Sequence, residues 1–398
     1  MISSRVVLRT GRRLAAPAAA ATALAGLALP AAAGAAADPL VWFPADQQQL
    51  LARTPAGTMP DGVATDPDIS RDSRDNRHVT FTSTATNLAG PVAPGRRNVY
   101  VTDRTGAILP NANPWQVGRT RILSVGRGGK PADGDSWGAS VSGFTGQRDK
   151  PERANLVGFL STATNLTRKR IGDGRTPRAY VVPVRGGAAR LVDAPGWATG
   201  IDVSGDSRRV FVATTRGLYV REKGRVRRLV RGSGIVHPAT TSRGAQVAYE
   251  RDGNVYVLTT ATRRSTLIGP GTEPDVDAGE TAGARRGHVR ALTFSRDGGA
   301  FRVSFKSSGT KIEQFGVTQT ATRTNSGAST IAFGEGRQVR LQIRVFADDL
   351  YGGYVRPQGV CPPQQGEVTG VAVSTRYNYT VFSCAKGGLY LFYVGPYE

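Results

Sequence analysis

Short runs of alternating or wholly apolar residues recur along the chain, each bounded by turns rich in Gly, Asp, Asn or Ser. Runs of about four to eight residues that favour β-branched and aromatic side chains predict β-strands. One kind of run appears as VTFTS, LVGFLS, RVFVATT, QVAYE, FRVSF and YTVFS. A strand of small residues that leads into a polar turn precedes each of them. The pattern predicts an all-β chain.

A second kind of run follows the first and places an aromatic residue between aliphatic ones. It occurs as Val99-Tyr100-Val101, Ala179-Tyr180-Val181, Leu218-Tyr219-Val220, Val255-Tyr256-Val257 and Leu389-Tyr390-Leu391. A weaker form is Gln314-Phe315-Gly316-Val317. The hexapeptide STATNL also occurs twice, at residues 83–88 and 161–166. Such recurrence indicates one structural unit repeated along the chain.

Each repeat contains strand-like runs for four antiparallel strands, the last being a run such as TRILSV or RVRRLV. Four-stranded units repeated around a ring form a β-propeller. We predict six blades. Seven is the alternative, because Phe315 and Tyr390 are 75 residues apart and a degenerate blade fits around residues 339–355. The 80-residue interval from Tyr100 to Tyr180 is interpreted as one blade with insertions.

The turn and strand motifs resemble the TolB-type, WD-like propeller repeat of exported bacterial proteins, in which S-x-D-G-R-x-V-x-F-x-S precedes an aliphatic-Tyr-aliphatic strand. The first unit matches at Ser73, Asp75, Arg77, Val79, Phe81 and Ser83. Later units match at Ser204-Gly205-Asp206-Ser207-Arg208 and at Ser295-Arg296-Asp297-Gly298-Gly299. The Pro that usually follows the Ser is absent. The resemblance implies a propeller over residues 64–398, without the α/β domain of TolB itself.

The N-terminus predicts export. Residues 1–37 contain four arginines and no acidic residue, and an Ala- and Leu-rich run ends there in small residues. A basic start, an apolar segment and an A-x-A site are typical of a signal peptide. Pro17, Gly26 and Pro30 interrupt the run, which is too weakly apolar for a membrane span of about 20 residues. We predict cleavage after Ala37, with Ala33 as the alternative, and a secreted, cell-surface or periplasmic protein.

Residues 38–63 form an N-terminal segment before the first predicted blade. The last Tyr strand ends near the C-terminus without a fourth partner, and natural proteins pair or cover such open sheet edges. We therefore predict that the apolar segment at residues 40–43, LVWF, supplies the missing strand and closes the ring.

The cysteines agree with export. Cys361 and Cys384 are the two cysteines of the chain, and we predict a disulfide between them because exported proteins fold under oxidising conditions. Two buried free thiols are the alternative. No other cysteine or histidine lies close enough in sequence to complete a zinc site. No metal or other cofactor is predicted.

The net charge is +22, and the chain without residues 1–37 still carries +18. Such a charge favours attraction to polyanions and does not determine the fold. The basic runs at residues 168–170, 225–231, 263–264 and 285–286 have almost no interleaved aromatic residues. A platform for single-stranded nucleic acid needs such residues for stacking. We therefore disfavour nucleic acid, leave an anionic wall polymer or an unknown protein as the partner, and expect a monomer.

Few residues are candidates for catalysis. Residues 134–138, GDSWG, match the G-x-S-x-G motif of α/β-hydrolases but lack its strand before and helix after. His78, His237 and His288 each lie beside a predicted strand, and His237 is the one best placed to approach the ring axis. The acidic clusters at residues 66–75, 133–135 and 275–277 lack the terminal Glu of an EF-hand loop, so we interpret them as turn residues.

Two functions remain open on the sequence: a non-enzymatic binding or scaffolding propeller, and a propeller enzyme of lyase or lactonase type with its site in the central channel. The fold hosts both kinds. Converging acids or histidines on the innermost strands would favour the enzyme. The predicted innermost strands, ISRDS, SVSGF, IDVSG, TTSRG, LTFSR and VAVST, are dominated by Ser, Thr, Gly and Arg. We therefore favour binding, and assign no catalytic, cofactor or metal residue.

Overall fold

The chain forms a β-propeller of seven blades, each a four-stranded antiparallel sheet. In the computed structural model the described residues are 48–70, 77–105, 116–143, 155–276, 289, 291–306, 309–317, 323–324, 330–343, 354–373 and 379–393. Within a blade the strands are hydrogen-bonded in chain order. The first strands of neighbouring blades contact one another, so they surround the axis. Among the described residues, no helix is long and apolar enough to cross a membrane.

The strands are short and evenly spaced. Blade 1 contains β2 Ala64–Ile69, β3 His78–Ser83, β4 Asn98–Thr105 and β5 Gln116–Ile122, and blade 2 contains β6 Ser136–Val141, β7 Leu156–Ser161, β8 Arg178–Pro183 and β9 Arg190–Val192. Blade 3 contains β10 Ala198–Val203, β11 Arg209–Thr214, β12 Gly217–Glu222 and β13 Arg225–Arg231, and blade 4 contains β14 Ile235–Thr240, β15 Gln246–Arg251, β16 Asn254–Thr259 and β17 Arg264–Pro270. Blade 5 contains β18 Thr272–Val276, β19 Ala291–Arg296, β20 Gly299–Lys306 and β21 Gly309–Val317. Blade 6 contains β22 Arg323–Thr324, β23 Thr330–Glu335, β24 Gln338–Ile343 and β25 Tyr354–Val360. Blade 7 contains β26 Val368–Val373, β27 Tyr379–Cys384, β28 Leu389–Tyr393 and, from the N-terminal side, β1 Gln48–Leu50. Short 3-10 turns lie at Arg127–Gly129 and Pro363–Gln365.

The predicted number of six blades is wrong, and the alternative of seven is confirmed. The additional blade is β22–β25, which covers the region of the suspected degenerate repeat. Its third strand, Gln338–Ile343, has the sequence QVRLQI and contains no aromatic residue. A search for the Tyr strand therefore could not find it. The long interval between Tyr100 and Tyr180 does correspond to a single step from blade 1 to blade 2.

Blade 5 also differs from the prediction by one strand. The run LTFSR belongs to β19, the second strand, and the weak Phe315 repeat belongs to β21, the outermost strand. The innermost strand is Thr272–Val276, with the sequence TEPDV. The prediction was misled because the serine-type turn at residues 295–299 joins the second and third strands here. The first strand of blade 5 therefore brings two acidic residues to the axis: Asp275, which the sequence analysis had placed in a turn, and Glu273, which it had not considered.

Burial explains the two kinds of strand that the sequence repeats. The second strands are enclosed between neighbouring blades, so β3, β7 and β11 are almost wholly buried. The aromatic residue of the third strand stacks on its cross-strand partner, as Phe81 does on Tyr100 with ring centroids 5.6 Å apart. The same stack recurs in blades 2, 4, 5 and 7. Offset aromatic pairs of this kind add about 0.5–1.5 kcal/mol beyond the area that they bury.

The hydrophobic core consists of separate clusters between adjacent blades. In the described part of the chain there are six such clusters. They lie between blades 7 and 1, 1 and 2, 2 and 3, 3 and 4, 4 and 5, and 6 and 7. At each of these six interfaces the two blades bury a face on one another. A ring of such units is stable only when the last blade meets the first.

The strand that closes the ring is Gln48–Leu50, which pairs antiparallel with β28 at the outer edge of blade 7. The proposed closing segment at residues 40–43 lies outside the described residues. The Gln48 side chain also donates a hydrogen bond to the Val360 carbonyl at 3.2 Å and accepts one from its N–H at 3.3 Å. Leu51, directly after β1, is fully buried between blades 7 and 1. The closing segment thus contacts three blades.

The predicted disulfide between Cys361 and Cys384 is confirmed, with the two Cα atoms 5.8 Å apart. Cys361 directly follows the outer strand of blade 6, and Cys384 ends the second strand of blade 7. Both are fully buried. The covalent bond therefore joins the last two blades beside the Gln48 contact.

The repeated hexapeptide has a structural explanation that the sequence analysis did not find. Each copy forms a loop that wraps around an Asp-Gly pair preceding the innermost strand. Asp61 accepts hydrogen bonds from the backbone N–H and the hydroxyl of Thr86, at 2.7 and 2.5 Å. Asp133 binds Thr164 in the same way, at 2.6 and 2.5 Å. The glycine after each aspartate packs so closely on this loop that a methyl group there would collide with its backbone.

Candidate functional site

The innermost strands share a β-bulge that displaces one side chain from the ladder. The pairing of the first and second strands shifts register in blades 1 to 5 and in blade 7. In three of these bulges a residue other than glycine has a left-handed backbone: Asp66 with φ 50°, His237 with φ 45° and Glu273 with φ 51°. Each precedes a proline, where extended backbone is preferred. Such conformations cost about 1–3 kcal/mol each and concentrate at functional sites.

These three side chains line one cavity of about 360 Å³, formed by the innermost strands of blades 1 to 5 and 7. The cavity is acidic. Its wall includes the carboxylates of Asp66, Asp68, Asp202, Glu273 and Asp275. No lysine or arginine is among its described lining residues. Its apolar lining includes the indole of Trp137 and three prolines.

Two carboxylates of the cavity link neighbouring blades. Asp68 of blade 1 accepts a hydrogen bond from the Val141 N–H of blade 2 at 2.8 Å. Asp202 of blade 3 accepts one from the Thr240 N–H of blade 4 at 2.6 Å. Ser140, next to Val141 in blade 2, links that blade to blade 3: its hydroxyl oxygen accepts the Val203 N–H at 3.1 Å and its hydroxyl donates to Asp202 at 2.5 Å. These groups therefore hold the axial strands together.

His237 is held by a half-buried acid. Its Nδ1 lies 2.9 Å from a carboxylate oxygen of Glu250, and the same oxygen accepts the Glu273 N–H at 3.2 Å. The His237 side chain is 50% exposed and that of Glu250 only 13%. Burial raises the pKa of the Glu250 carboxyl, but the hydrogen bonds from His237 and Glu273 outweigh it and leave this pKa below its ordinary value. Glu250 thus fixes the imidazole ring at the cavity wall by one edge.

Several residues that the sequence analysis considered have a different place in the structure. Asp66, Asp68 and Asp275 lie on innermost strands and line the cavity, so their interpretation as turn residues is wrong. His237 lies on β14 and also lines it, which its sequence position had suggested. His288 lies outside the described residues. The acids were detectable, because TDPDI, TGIDV and TEPDV recur at the innermost strands of blades 1, 3 and 5.

The other candidates are structural. Ser136 begins strand β6, is fully buried, and donates a hydrogen bond to the Ser161 hydroxyl at 2.9 Å. A strand start of this kind is no nucleophile elbow. His78 binds Asp103 at 2.9 Å in a cluster that Arg121 completes. Within the described residues, no three side chains of His, Cys, Asp or Glu are placed to hold a metal ion.

Sequence comparison gives this protein no family. No protein-family model and no curated protein matches the chain. The TolB-type resemblance therefore stays a prediction, and the function must be argued from the cavity itself.

Proposed function

We propose that this protein is an exported binding propeller of the TolB type that takes a small ligand in its axial cavity. The observation that carries the proposal is the equivalent placement of Asp66, His237 and Glu273. Three blades hold a polar side chain at the same bulge, each in a left-handed conformation, around one cavity. A packed structural axis gives no reason to keep this conformation three times. A ligand-binding wall does, since polar groups must converge there.

The chemistry of the wall supports a ligand that carries positive charge or several hydrogen-bond donors. Asp66 and Glu273 are outside the chain of bonds that links the blades, and no described side chain hydrogen-bonds to the Glu273 carboxylate. Trp137 and the prolines can pack on apolar parts of the same molecule. The volume of about 360 Å³ lies at the low end of the range of about 300–1,000 Å³ that small-molecule sites occupy. An organic amine of modest size fits these conditions.

Export is supported by the signal-like residues 1–37 and by the disulfide, since such bonds persist in oxidising compartments. Mass spectrometry of the protein recovered outside the cytoplasm tests this part. We expect a mature chain that starts at Asp38. Recovery of the full-length chain from the cytoplasm with both cysteines reduced would contradict it.

Thermal unfolding with defined probes tests the cavity. Choline and spermidine are the cationic probes, and citrate is the anionic one. A ligand present at 100 times its Kd stabilises the folded state by about 2.7 kcal/mol, so a cation bound this tightly raises Tm by several degrees. We expect citrate to have no such effect.

The variant Asp66→Asn/Glu273→Gln removes two charges from the cavity without changing shape. We expect it to lose the stabilisation by the cations. The control Asp193→Asn/Glu367→Gln removes two exposed carboxylates outside the cavity. We expect the cations to stabilise this control as they stabilise the unmodified protein. Cations that stabilise the cavity variant as much as the control, or that stabilise none of the proteins, would refute the proposed site.

A propeller enzyme is the second candidate, and the His237–Glu250 pair favours it. A carboxylate-held imidazole at a cavity wall has the arrangement of a general acid or base. A lactone and a uronate polymer are the substrates to offer, with His237→Gln as the comparison. Turnover that is lost in His237→Gln while the cation effect on Tm remains would establish this function. Equal turnover by both proteins would exclude His237 as the group.

A further inference from the structure

The outermost strands of blades 1 to 4 form an arginine-rich rim. Strands β5, β9, β13 and β17 contain no acidic residue, no lysine and no aromatic residue. Their arginines are Arg119, Arg121, Arg190, Arg225, Arg227, Arg228, Arg231 and Arg264. The innermost strands of the same blades contain neither arginine nor lysine. Positive charge is thus placed at the periphery of these blades and excluded from their axis.

Most of these guanidinium groups are available to a partner. Arg121 is bonded to Asp103, and Arg227 is half-buried. The remaining six are exposed, and no described residue forms an ion pair with them. An unpaired guanidinium keeps its five N–H donors free for an external anion.

Strand β13 concentrates this charge. Its sequence is RVRRLVR, and Leu229 is 7% exposed while Arg225, Arg228 and Arg231 are exposed. The buried leucine fixes the strand against blade 4, so the arginines project from a rigid element. Arg225 and Arg228 are three positions apart on the strand, so their side chains leave opposite faces of the blade edge about 10 Å from each other, and a bulge at Leu229 precedes Arg231. Cations spread along both sides of one edge suit a long polyanion better than a single anionic group.

We propose that this rim binds a linear phosphodiester polymer that carries no bases, for which poly(glycerol phosphate) is the chemical type. The guanidinium fork matches phosphate in a bidentate way that an ammonium group does not. A nucleic acid would leave its bases without stacking partners, because the rim strands have no aromatic residue. This surface is separate from the axial cavity, so the proposal goes beyond the function proposed above.

Binding of poly(glycerol phosphate) across a salt series tests the rim. Release of counterions gives a slope of about −0.7 per phosphate contact. Six contacts then predict an affinity loss of about 300-fold between 50 and 200 mM salt. The variant Arg225→Gln/Arg228→Gln/Arg231→Gln keeps three contacts and should lose only about 20-fold over this range. The control Arg168→Gln/Arg175→Gln/Arg216→Gln changes the same charge on exposed connecting loops and should keep the wild-type slope.

Two further comparisons test the chemistry of the partner. Replacement of the three β13 arginines by lysine should weaken binding several-fold at unchanged charge, with circular dichroism confirming the fold. Hyaluronate and oligo(dT) of equal charge should bind more weakly than the phosphodiester polymer. Equal slopes for the Gln variant and its control would overturn the rim as the site. Equal binding by the lysine variant, or by either competing polymer, would overturn the assignment to a base-free phosphodiester.

Discussion

Replacement of Leu51 by Ala tests whether the ring is closed by the N-terminal segment in solution. Leu51 is fully buried with residues of blades 7 and 1, and its N–H donates to the Leu389 carbonyl at 2.8 Å. Truncation of a buried leucine costs about 2–5 kcal/mol, the lost transfer free energy plus the cavity left behind. Leu51 follows a strand of only three residues, so little else on that segment can compensate.

We expect a loss of about 3 kcal/mol. With an unfolding entropy of about 2.1 cal/mol/K per residue, a chain of this size should then unfold about 4 °C lower. Scanning calorimetry of the two proteins measures the shift. Leu267→Ala is the matched control, because Leu267 is 57% exposed on the outer strand β17. Its free energy of unfolding should change by no more than about 0.5 kcal/mol.

The comparison separates closure from a loose tether. If the N-terminal segment does not pack on blade 7, the Leu51 side chain is solvated, and both variants unfold at the wild-type temperature. That result would refute the closure of the ring by Gln48–Leu50. A larger loss at Leu51 than at Leu267 supports it, because the two variants remove the same atoms.

Three further outcomes follow. Reduction of the Cys361–Cys384 bond, whose partners are 23 residues apart, should cost about 3 kcal/mol; the double variant to alanine should show no response to reductant in the same melt. Asp202→Ala should cost about 1–3 kcal/mol, because it leaves the buried Thr240 N–H unpaired, whereas exposed Asp193→Ala should be nearly neutral. Glu250→Gln should destabilise more at pH 7 than at pH 3: the depressed pKa of Glu250 stabilises the fold above the unfolded value of about 4.3, and this stabilisation is lost as pH falls through the lower folded value. Urea titrations at the two pH values measure this difference.

The repeated strands could be predicted because their residues are fixed by local packing. A second strand between two blades must be apolar on both faces, and its aromatic partner must lie opposite. That requirement produced the Tyr pattern in blades 1, 2, 4 and 7, and blade 3 keeps the tyrosine, Tyr219, opposite Val212. Where the third strand has no aromatic residue, as in the QVRLQI strand of blade 6, the blade could not be recognised by pattern.

The closing strand shows the opposite case. Gln48–Leu50 is short and largely polar, and it works through backbone pairing and the amide of Gln48. Neither leaves an alternating pattern in the sequence. The apolar segment at residues 40–43 is more strand-like in composition, although the strand that pairs with β28 begins at Gln48.

The candidate site was missed for a related reason. The residues of the cavity wall come from six blades and are adjacent only once the ring is closed. A single Asp in a Gly- and Pro-rich context is most often a turn residue, and Asp66 and Asp275 were interpreted in this way. The recurrence of TDPDI, TGIDV and TEPDV was a signal for the axis, since it places an acid two positions after the bulge in three blades.

The acidic axis and the basic rim should act as independent sites. Three inter-strand spacings of about 4.8 Å separate the innermost from the outermost strand of a blade, or about 14 Å. This exceeds the Debye length of about 8 Å at physiological salt. A unit charge at that distance contributes about 0.3 kcal/mol in water before screening and about 0.05 kcal/mol after it. The three Gln substitutions in β13 should therefore change the affinity of the cavity for spermidine by less than about twofold, while the Asp66→Asn/Glu273→Gln variant should leave the salt slope for the polymer unchanged. Titration calorimetry of each ligand on both variants measures the two effects. If either variant weakens the binding of both ligands, the axis and the rim form one binding surface and their division into two sites is wrong.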